Sequence, residues 1–209
     1  MKLTADNLVL VRGSRTIVDR LTFAVPAGRA LVLTGPNGVG KTTLIRAAAG
    51  FLAPAAGTIV LDGGSAERTV AEQSHYVGHQ NGMKSSLTVE ENLDFWAGYL
   101  EHTEADPAGA RVARALAAFD LDVLRDIPAG YLSAGQKRRL GLARLLVAHR
   151  LVWLLDEPTV SLDTRSSELL AAAVNGHTAS GGIAIAATHL ALGLDRAEEL
   201  RLMPRRVAA

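Results

Sequence analysis

Short apolar runs bounded by turn residues characterise the first third of the chain. Residues 8–11, 21–25 and 57–61 each read as a strand, and the second run ends at the turn that Pro26 begins. Residues 30–33 form a continuous apolar run, which is typical of a parallel strand buried on both faces. The pattern therefore predicts four strands in this part of the chain.

Helical spacing replaces this pattern in the middle of the chain. Between residues 88 and 125 apolar residues recur every three or four positions, which predicts amphipathic helices. The two predicted apolar faces consist of Leu93, Trp96 and Leu100, and of Val112, Leu116 and Phe119. Further helices are predicted at residues 42–49, where Gly50 ends the helix, and directly after Ser133.

Strands return in the last third, at residues 151–155 and 183–187, and helices lie between them. Strand–helix alternation around a helical insert predicts an α/β fold, in which a mostly parallel sheet carries a helical subdomain. A chain of 209 residues is an ordinary size for one domain. We therefore predict a single domain over residues 1–209, with the helical subdomain at about residues 88–145.

Composition removes several classes of function. The 22 basic and 21 acidic residues give a net charge of +1, so we expect no nucleic acid partner, because nucleic-acid-binding surfaces carry a strong basic excess. Cysteine is absent, which excludes disulfides and thiolate metal sites and makes a cytoplasmic location the simplest expectation.

Hydrophobicity leaves one question open. No apolar run approaches the roughly 18–20 residues needed to cross a bilayer, and the N-terminus lacks the apolar core of a signal peptide. Hydrophobic residues nevertheless make up 48% of the chain, many of them alanine. A well-filled core explains this content, and so does an apolar face that docks on a membrane partner.

A glycine-rich loop follows the buried strand at residues 30–33 and matches the P-loop pattern. Glycines let backbone N–H groups turn toward phosphate, and the following helix presents its positive end to the same anion. Lys41 supplies a charge for the β- and γ-phosphates, and the Thr42 hydroxyl suits Mg²⁺. The predicted ATP-binding residues here are Gly35, Pro36, Asn37, Gly38, Val39, Gly40, Lys41, Thr42 and Thr43.

Two later segments narrow the class of P-loop protein. Ser133 is predicted to cap a helix, and that second helix N-terminus can receive another phosphate. The strand at residues 151–155 runs into Asp156 and Glu157, so that Asp156 can reach Mg²⁺ through water and Glu157 can accept a proton from an attacking water. Alone, each segment also fits an ordinary capped helix or a solvated turn.

Together these segments resemble the Walker A, signature and Walker B motifs of ABC ATPases. Gln80 resembles the family's Q-loop glutamine, residues 161–163 its D-loop, and His189 its switch histidine. The resemblance implies the ABC ATPase form of the P-loop NTPase fold, with an antiparallel β part and a helical signature subdomain. It implies Glu157, His189 and Gln80 as catalytic, Ser133, Gly135, Gln136 and Asp163 as further ATP ligands, and Thr42, Gln80 and Asp156 as Mg²⁺ ligands.

One position departs from the family pattern. The family places an aromatic residue near the end of the first strands to stack on adenine, and Arg12 stands at that place here. A guanidinium can also stack on a base, so ATP binding is expected while the preference for adenine stays open. The resemblance further implies a head-to-tail homodimer, in which each ATP lies between Lys41 of one subunit and Ser133 of the other.

A closer resemblance is to the ATP-binding subunits of bacterial cytochrome c maturation, the CcmA-type heme exporter ATPases. It is carried by residues 76–80 with 87–93, by residues 131–139, and by residues 154–163 with 187–189. It implies CcmB-type and CcmC-type membrane partners, a peripheral location on the cytoplasmic side of the inner membrane, and heme export or release of a heme-loaded chaperone. Another small ABC exporter or a soluble, non-transport ABC ATPase are the alternatives.

One pair of histidines, His75 and His79, is a candidate for direct heme ligation by the chain. His75 and His79 are four residues apart, which would suit a helical two-histidine site. The Tyr76-Val77 pair between them reads as strand, where residues four apart lie much farther from each other. We therefore expect no direct heme ligation, with His79 belonging to the Q-loop region and His75 lying on the surface.

Overall fold

A computed structural model describes residues 1–100, 107–189 and 192–204. The chain divides into two compact units, the first formed by Met1–Tyr76, Arg150–Pro158 and Val174–Ala209 and the second by Val77–His149 and Thr159–Ala173. The strands are β1 (Lys2–Arg12), β2 (Arg15–Pro26), β3 (Ala30–Thr34), β4 (Ala56–Asp62), β5 (Ser74–Val77), β6 (Val152–Asp156), β7 (Ile183–Ala187) and β8 (Ala197–Arg201). The helices are α1 (Lys41–Ala48), α2 (Val89–Leu100), α3 (Ala108–Ala118), α4 (Ala134–Ala143) and α5 (Thr164–Ala179).

Three strands of the first unit form an antiparallel sheet in the order β2-β1-β4. Strand β1 is much longer than the predicted residues 8–11, because its N-terminal half mixes apolar and polar residues: Leu3, Ala5 and Leu8 are buried, Thr4 is half-buried, and residues 6 and 7 are exposed. Pairing with β2 on one side and β4 on the other satisfies the backbone of this polar-rich half. A search for apolar runs alone misses such a strand.

The second sheet of the first unit has the order β5-β6-β7-β3-β8. Strands β6, β7 and β3 are neighbours and run parallel, and every residue of β6 and β7 is buried, as their continuous apolar sequences predict. Strand β8 pairs parallel with β3 and was not predicted, because its sequence Ala-Glu-Glu-Leu-Arg is polar and mostly exposed at the sheet edge. The mostly parallel α/β fold is thereby confirmed.

The second unit is helical over most of its length. Helices α2 and α3 pack against each other, and the predicted face of α3 is confirmed, since Val112, Leu116 and Phe119 are fully buried. On α2 the predicted face is only partly right: Leu93 is fully buried, whereas Trp96 is half-buried because its indole Nε1 reaches out to donate to the carbonyl of Gly82 at 2.8 Å. Across the described residues, every helix is too short or too polar to span a bilayer.

The expected surface position of His75 is wrong, because only 5% of this residue is exposed. The segment between His75 and His79 is a strand as predicted, and in β5 the side chains of His75 and Val77 alternate inward while Ser74 and Tyr76 are half-buried. Because His79 lies beyond the end of β5 and is exposed, the two histidines occupy different environments.

Removal of core volume from β6 is expected to destabilise the protein. Leu154 is fully buried in the middle of β6, so Leu154→Ala should cost about 2–5 kcal/mol in the free energy of unfolding, measured by urea denaturation. Val60 on β4 is 46% exposed, and Val60→Ala is the matched control, expected to cost about 1 kcal/mol or less. Equal losses for the two variants would contradict this picture of the core.

Candidate functional site

Three neighbouring strands of the parallel sheet end at one edge. Because β6, β7 and β3 are parallel and adjacent, the segments that follow them emerge together at their carboxyl ends. Strand β3 leads into the glycine-rich loop, β6 into Asp156 and Glu157, and β7 into Thr188 and His189. The topology thus gathers at one edge chemical groups that lie far apart along the chain.

The glycine-rich loop needs its glycines for two different reasons. Gly35 and Gly40 have φ of 128° and 117°, and a Cβ on them would lie 2.3 Å from the carbonyl oxygen of Leu202 and 2.7 Å from Cγ2 of Ile17. These two glycines therefore let the loop pack against the protein itself. Gly38 has φ of 77°, and a Cβ there would meet no described atom within 4 Å, so its side faces open space where a ligand can approach.

Helix α1 begins directly under this loop. Its N-cap residue is Gly40, which has no side chain to cap the helix N-terminus by a hydrogen bond. The first turn also has no acidic residue. Uncapped backbone N–H groups at a helix start carry partial positive charge and favour an anion, so the local structure suits phosphate.

Lys41 is held inside the loop. Its ammonium Nζ donates to the carbonyl oxygens of Gly35 at 2.8 Å and Pro36 at 3.3 Å, and it lies 3.0 Å from Nε2 of His189. Only 6% of the lysine is exposed. The loop carbonyls therefore pre-position one positive charge at the carboxyl edge of the sheet.

His189 links this lysine to Glu157. Its Nε2 lies 3.4 Å from Oε1 of Glu157 as well as 3.0 Å from the Lys41 ammonium. An ammonium can only donate hydrogen bonds, so Nε2 accepts from Lys41 and the ring proton is on Nδ1. The Lys41 ammonium and the Glu157 carboxylate thus lie at the same imidazole nitrogen, so the three side chains form a cluster in which Lys41 donates to His189 and no proton lies between His189 and Glu157.

Glu157 has an unusual backbone. Its φ is 49°, in the left-handed region that residues with side chains seldom adopt, and its N–H donates to the carbonyl oxygen of Ala187 on neighbouring β7 at 2.9 Å. Such conformations persist where the surrounding structure holds them, and they concentrate at functional sites. The turn aims the Glu157 side chain, 18% exposed, toward His189.

Asp156 is the residue that best fits a metal ion. It is fully buried, and its Oδ1 accepts a 2.8 Å hydrogen bond from the Thr42 hydroxyl. Its Oδ2 is also buried, and among the described residues no hydrogen-bond donor reaches it. A buried carboxylate oxygen without a partner is costly, and a cation beside the Thr42 hydroxyl would satisfy it. Thr42 and Asp156 together therefore suit Mg²⁺, which binds hydroxyl and carboxylate oxygens.

The second unit carries the segment that starts at Ser133, where the predicted cap is confirmed. The Ser133 hydroxyl accepts from the backbone N–H of Gln136 at 3.2 Å, and the Gln136 side chain accepts from the backbone N–H of Ser133 at 2.8 Å, forming a capping box for α4. The Ser133 hydroxyl keeps its own proton to donate. A Cβ on Gly135 would lie 3.2 Å from the carbonyl oxygen of Ser161, so a larger residue there would need this neighbour to shift by a few tenths of an ångström.

The remaining predicted residues differ in exposure and partners. Gln80 in the second unit is exposed, and so is Arg12 at the end of β1 in the first unit. Asp163 has a structural task that sequence reasoning missed, because its carboxylate accepts from the backbone N–H of Ser166 at 2.7 Å at the start of α5. Hydrogen bonds from the Ser166 side chain and backbone lower the pKa of Asp163. The acidic residue three positions before a serine was the available signal.

The glycine-rich loop lies at the carboxyl edge of the parallel sheet, and the buried Asp156 ends β6 in the same sheet. This arrangement defines the class of P-loop nucleotide-binding proteins. The chain belongs to the ABC transporter family, whose model matches residues 18–160. The cytochrome c biogenesis ATP-binding export protein CcmA of Nitrobacter winogradskyi is 49% identical over 97% of this chain and 98% of its own length.

Two solved structures share the fold at low sequence identity. The ATP-binding subunit of an ABC transporter has a TM-score of 0.83 at 24% identity, covering 97% of this chain and 88% of its own. A dimeric ATP-binding cassette in a post-hydrolysis state, bound to ADP and Pi, has a TM-score of 0.81 at 19% identity, covering 96% and 94%. These likenesses confirm the ABC ATPase fold predicted from the sequence.

The cap at Asp163 predicts a specific titration. We expect Ser166→Ala to raise the pKa of Asp163 toward its ordinary value, because the hydroxyl hydrogen bond is lost while the backbone N–H remains, as measured by ¹³C NMR of the carboxyl group. The matched control is Ser167→Ala, since the Ser167 hydroxyl donates to the Asp163 carbonyl oxygen and not to its carboxylate.

The same pKa shift sets a pH dependence. Because the folded pKa of Asp163 is lowered, this group stabilises the fold above its unfolded pKa, and the stabilisation is lost as the pH falls from the unfolded pKa through the lower folded pKa. Ser166→Ala should reduce that loss. An unchanged Asp163 titration in Ser166→Ala would show that the hydroxyl has no part in the cap.

Proposed function

We propose that this chain is the ATP-hydrolysing subunit of an ABC exporter acting in c-type cytochrome biogenesis. It would couple ATP binding and hydrolysis to heme export or to release of a heme-loaded chaperone. The family match and the near full-length similarity to a cytochrome c biogenesis export protein support this proposal. The observation that carries its chemical part is the cluster formed by Lys41, His189 and Glu157 beside the buried Asp156 carboxylate.

Binding of nucleotide begins at the loop. The Lys41 ammonium is held by two neutral carbonyl oxygens, and a phosphate oxygen is a stronger, charge-assisted partner, so the lysine exchanges one for the other. Backbone N–H groups at residues 35 and 37–43, at the loop and the α1 N-terminus, would take the remaining phosphate oxygens. Thr42 and Asp156 would hold Mg²⁺, Gln80 is proposed as a further ligand, and the ion would offset the negative charge of the phosphates.

Glu157 serves as the base in this proposal. Its carboxylate, which lies 3.4 Å from Nε2 of His189, accepts a proton from the attacking water. His189 accepts from Lys41 at Nε2, which keeps the imidazole oriented between the base and the phosphate-binding cation. When Lys41 turns to phosphate, Nε2 is released to meet the reacting group.

A second copy of the chain would complete the site. Ser133, Gly135, Gln136 and Asp163 are proposed to contact the nucleotide held by Lys41 of the partner, and Arg12 to stack on its base. The exposed start of α4 supports this role, since the Ser133 hydroxyl keeps its own proton to donate. Residues 1–209 then act as a single nucleotide-binding domain, with the helical subdomain at about residues 88–145.

Removal of the base should separate binding from turnover. Glu157→Gln is expected to retain ATP binding and to trap a nucleotide-bound dimer, while kcat falls about 10²–10⁴-fold because proton acceptance is lost. The measurements are ATPase kinetics and size-exclusion chromatography with ATP and Mg²⁺. Lys41→Ala should instead weaken ATP affinity about 10- to 100-fold, because a charged contact to phosphate is lost.

Glu199→Gln is the matched control for this pair. Its carboxylate accepts from the Thr34 hydroxyl in the same unit but is assigned no part in hydrolysis, so kcat should stay within about twofold. Near-normal turnover in Glu157→Gln would show that Glu157 is not the base. Unchanged ATP affinity in Lys41→Ala would show that Lys41 does not bind the phosphates.

Membrane partners are the second part of the proposal. The CcmB-type and CcmC-type subunits would hold the chain at the cytoplasmic side of the inner membrane. Helix α2 supports such docking, because Phe95 and Tyr99 are exposed and their rings stack at 5.8 Å, offering an apolar surface to a membrane subunit.

Loss of these rings should detach the chain. With both membrane subunits co-expressed, the Phe95→Ser, Tyr99→Ser variant is expected to bind washed membranes about 10- to 100-fold more weakly, and mature c-type cytochrome should fall with it. Val123 is 90% exposed, and Val123→Ser should leave membrane binding unchanged. If the unsubstituted chain is recovered entirely outside the membrane fraction, the proposed complex is wrong.

A further inference from the structure

We propose that Arg138 is a positioning residue that ties the loop carrying Gln80 to helix α4, so that the two move as one body. The inference builds on the proposed role of Gln80 at the Mg²⁺ site. All the residues involved belong to the second unit. A shift of the Gln80 loop would then be carried directly to the helix whose first turn presents Ser133.

Arg138 grips the loop on both sides of Gln80. Its Nη1 donates to the carbonyl oxygen of Gly78 at 2.7 Å and to Oδ1 of Asn81 at 3.2 Å. Only 3% of Arg138 is exposed. A buried guanidinium must keep its hydrogen-bond partners, because an unpaired charge in the interior is strongly unfavourable. The loop is therefore held wherever α4 places this side chain.

Gly141 brings the same loop against the helix backbone. A Cβ at this position would lie 2.9 Å from Cβ of Asn81 and 3.1 Å from its Cα. Gly141 is three residues after Arg138, so both lie on one face of α4. The glycine gives the loop a close seat on the helix, and the arginine fastens it there.

A third contact continues along the chain at Arg144. The Trp96 indole Nε1 donates to the carbonyl oxygen of Gly82 at 2.8 Å, and the Arg144 guanidinium lies 5.2 Å from the Trp96 ring centroid. A Cβ on Gly82 would lie 2.3 Å from Nη1 of Arg144. Arg138 thus contacts residues 78 and 81, Gly141 packs against residue 81, and Arg144 lies beside residue 82.

The consequence is mechanical. Helix α4 is ten residues long, and its start is fixed by the capping box at Ser133. A short helix moves as a rigid element. The contacts of residues 138, 141 and 144 with the Gln80 loop form a clamp, and this clamp couples the exposed Gln80 to the Ser133 end of α4 through protein contacts alone. Arg138 is assigned no contact with phosphate or metal, and it acts through Gln80.

The kinetic test compares two arginines of one helix. Arg138→Met is expected to lower kcat about 10- to 100-fold while the KM for ATP stays within about twofold, because the misplaced group is Gln80 and not the phosphate cradle. Arg139 binds the carbonyl oxygens of Phe119 and Asp120 and not the Gln80 loop, so Arg139→Met is the matched control, with kcat nearly unchanged. Asn81→Ala removes one partner of Arg138 on a half-buried loop, and it should lower kcat in the same direction but less.

A double substitution shows whether Arg138 acts through Gln80. In a Gln80→Ala background, Arg138→Met should lower kcat less than about twofold further, because the positioned group is already gone. The inference is overturned if Arg138→Met lowers kcat by the same factor with and without Gln80→Ala. It is also overturned if Arg138→Met and Asn81→Ala both have a normal kcat. If Gln80→Ala alone has normal kcat, or the unsubstituted chain hydrolyses no ATP, the proposed function fails instead.

Fluorescence tests the clamp without ATP. The chain has two tryptophans, so Trp153→Phe leaves Trp96 as the reporter of the loop. In this background Arg138→Met and Asn81→Ala should shift Trp96 emission to the red, as Gly82 leaves the indole and water enters. Arg139→Met should not shift it. An unchanged emission maximum in both loop variants would overturn the clamp whatever the ATPase result.

Discussion

A buried negative charge organises the candidate site. Asp156 ends a strand with every residue buried, and its carboxylate is shielded from water with one oxygen bound to Thr42 and the other lacking a described donor. Such a charge is tolerated when a cation can join it, and the ammonium of Lys41 sits in the loop that precedes Thr42. The parallel pairing of β6, β7 and β3 is what holds this charge beside a helix N-terminus that favours anions.

Continuous apolar runs and glycine-rich loops made the centre of the fold predictable. Strands β3, β6 and β7 lie within one residue of their expected positions, because a strand buried on both faces must be apolar throughout. The cap at Ser133 was equally readable, since it depends on residues three apart in sequence. Features that depend on residues close together in sequence, or on burial of a whole segment, can therefore be predicted without a structure.

Other features depend on contacts between distant segments, and no local pattern encodes them. Strand β8 is polar because it lies at a sheet edge, and His75 is buried although a histidine in a polar segment usually faces water. Gly40 is required by Ile17, and not only by an approaching phosphate. The contact of Arg138 with Gly78 joins residues 60 positions apart, so sequence showed it only as one of several arginines in a basic stretch.

The left-handed backbone at Glu157 sets the catalytic role proposed for this residue against the stability of the fold. A non-glycine residue with φ of 49° raises the energy of the folded chain, and a glycine there would relax the turn without disturbing the bond to Ala187. Selection for a hardier protein alone would therefore erode the carboxylate at this turn. A chain that keeps glutamate here forgoes some thermal tolerance, and with Glu157 as the proposed base, relatives released from hydrolysis are expected to gain stability by accepting glycine at this turn.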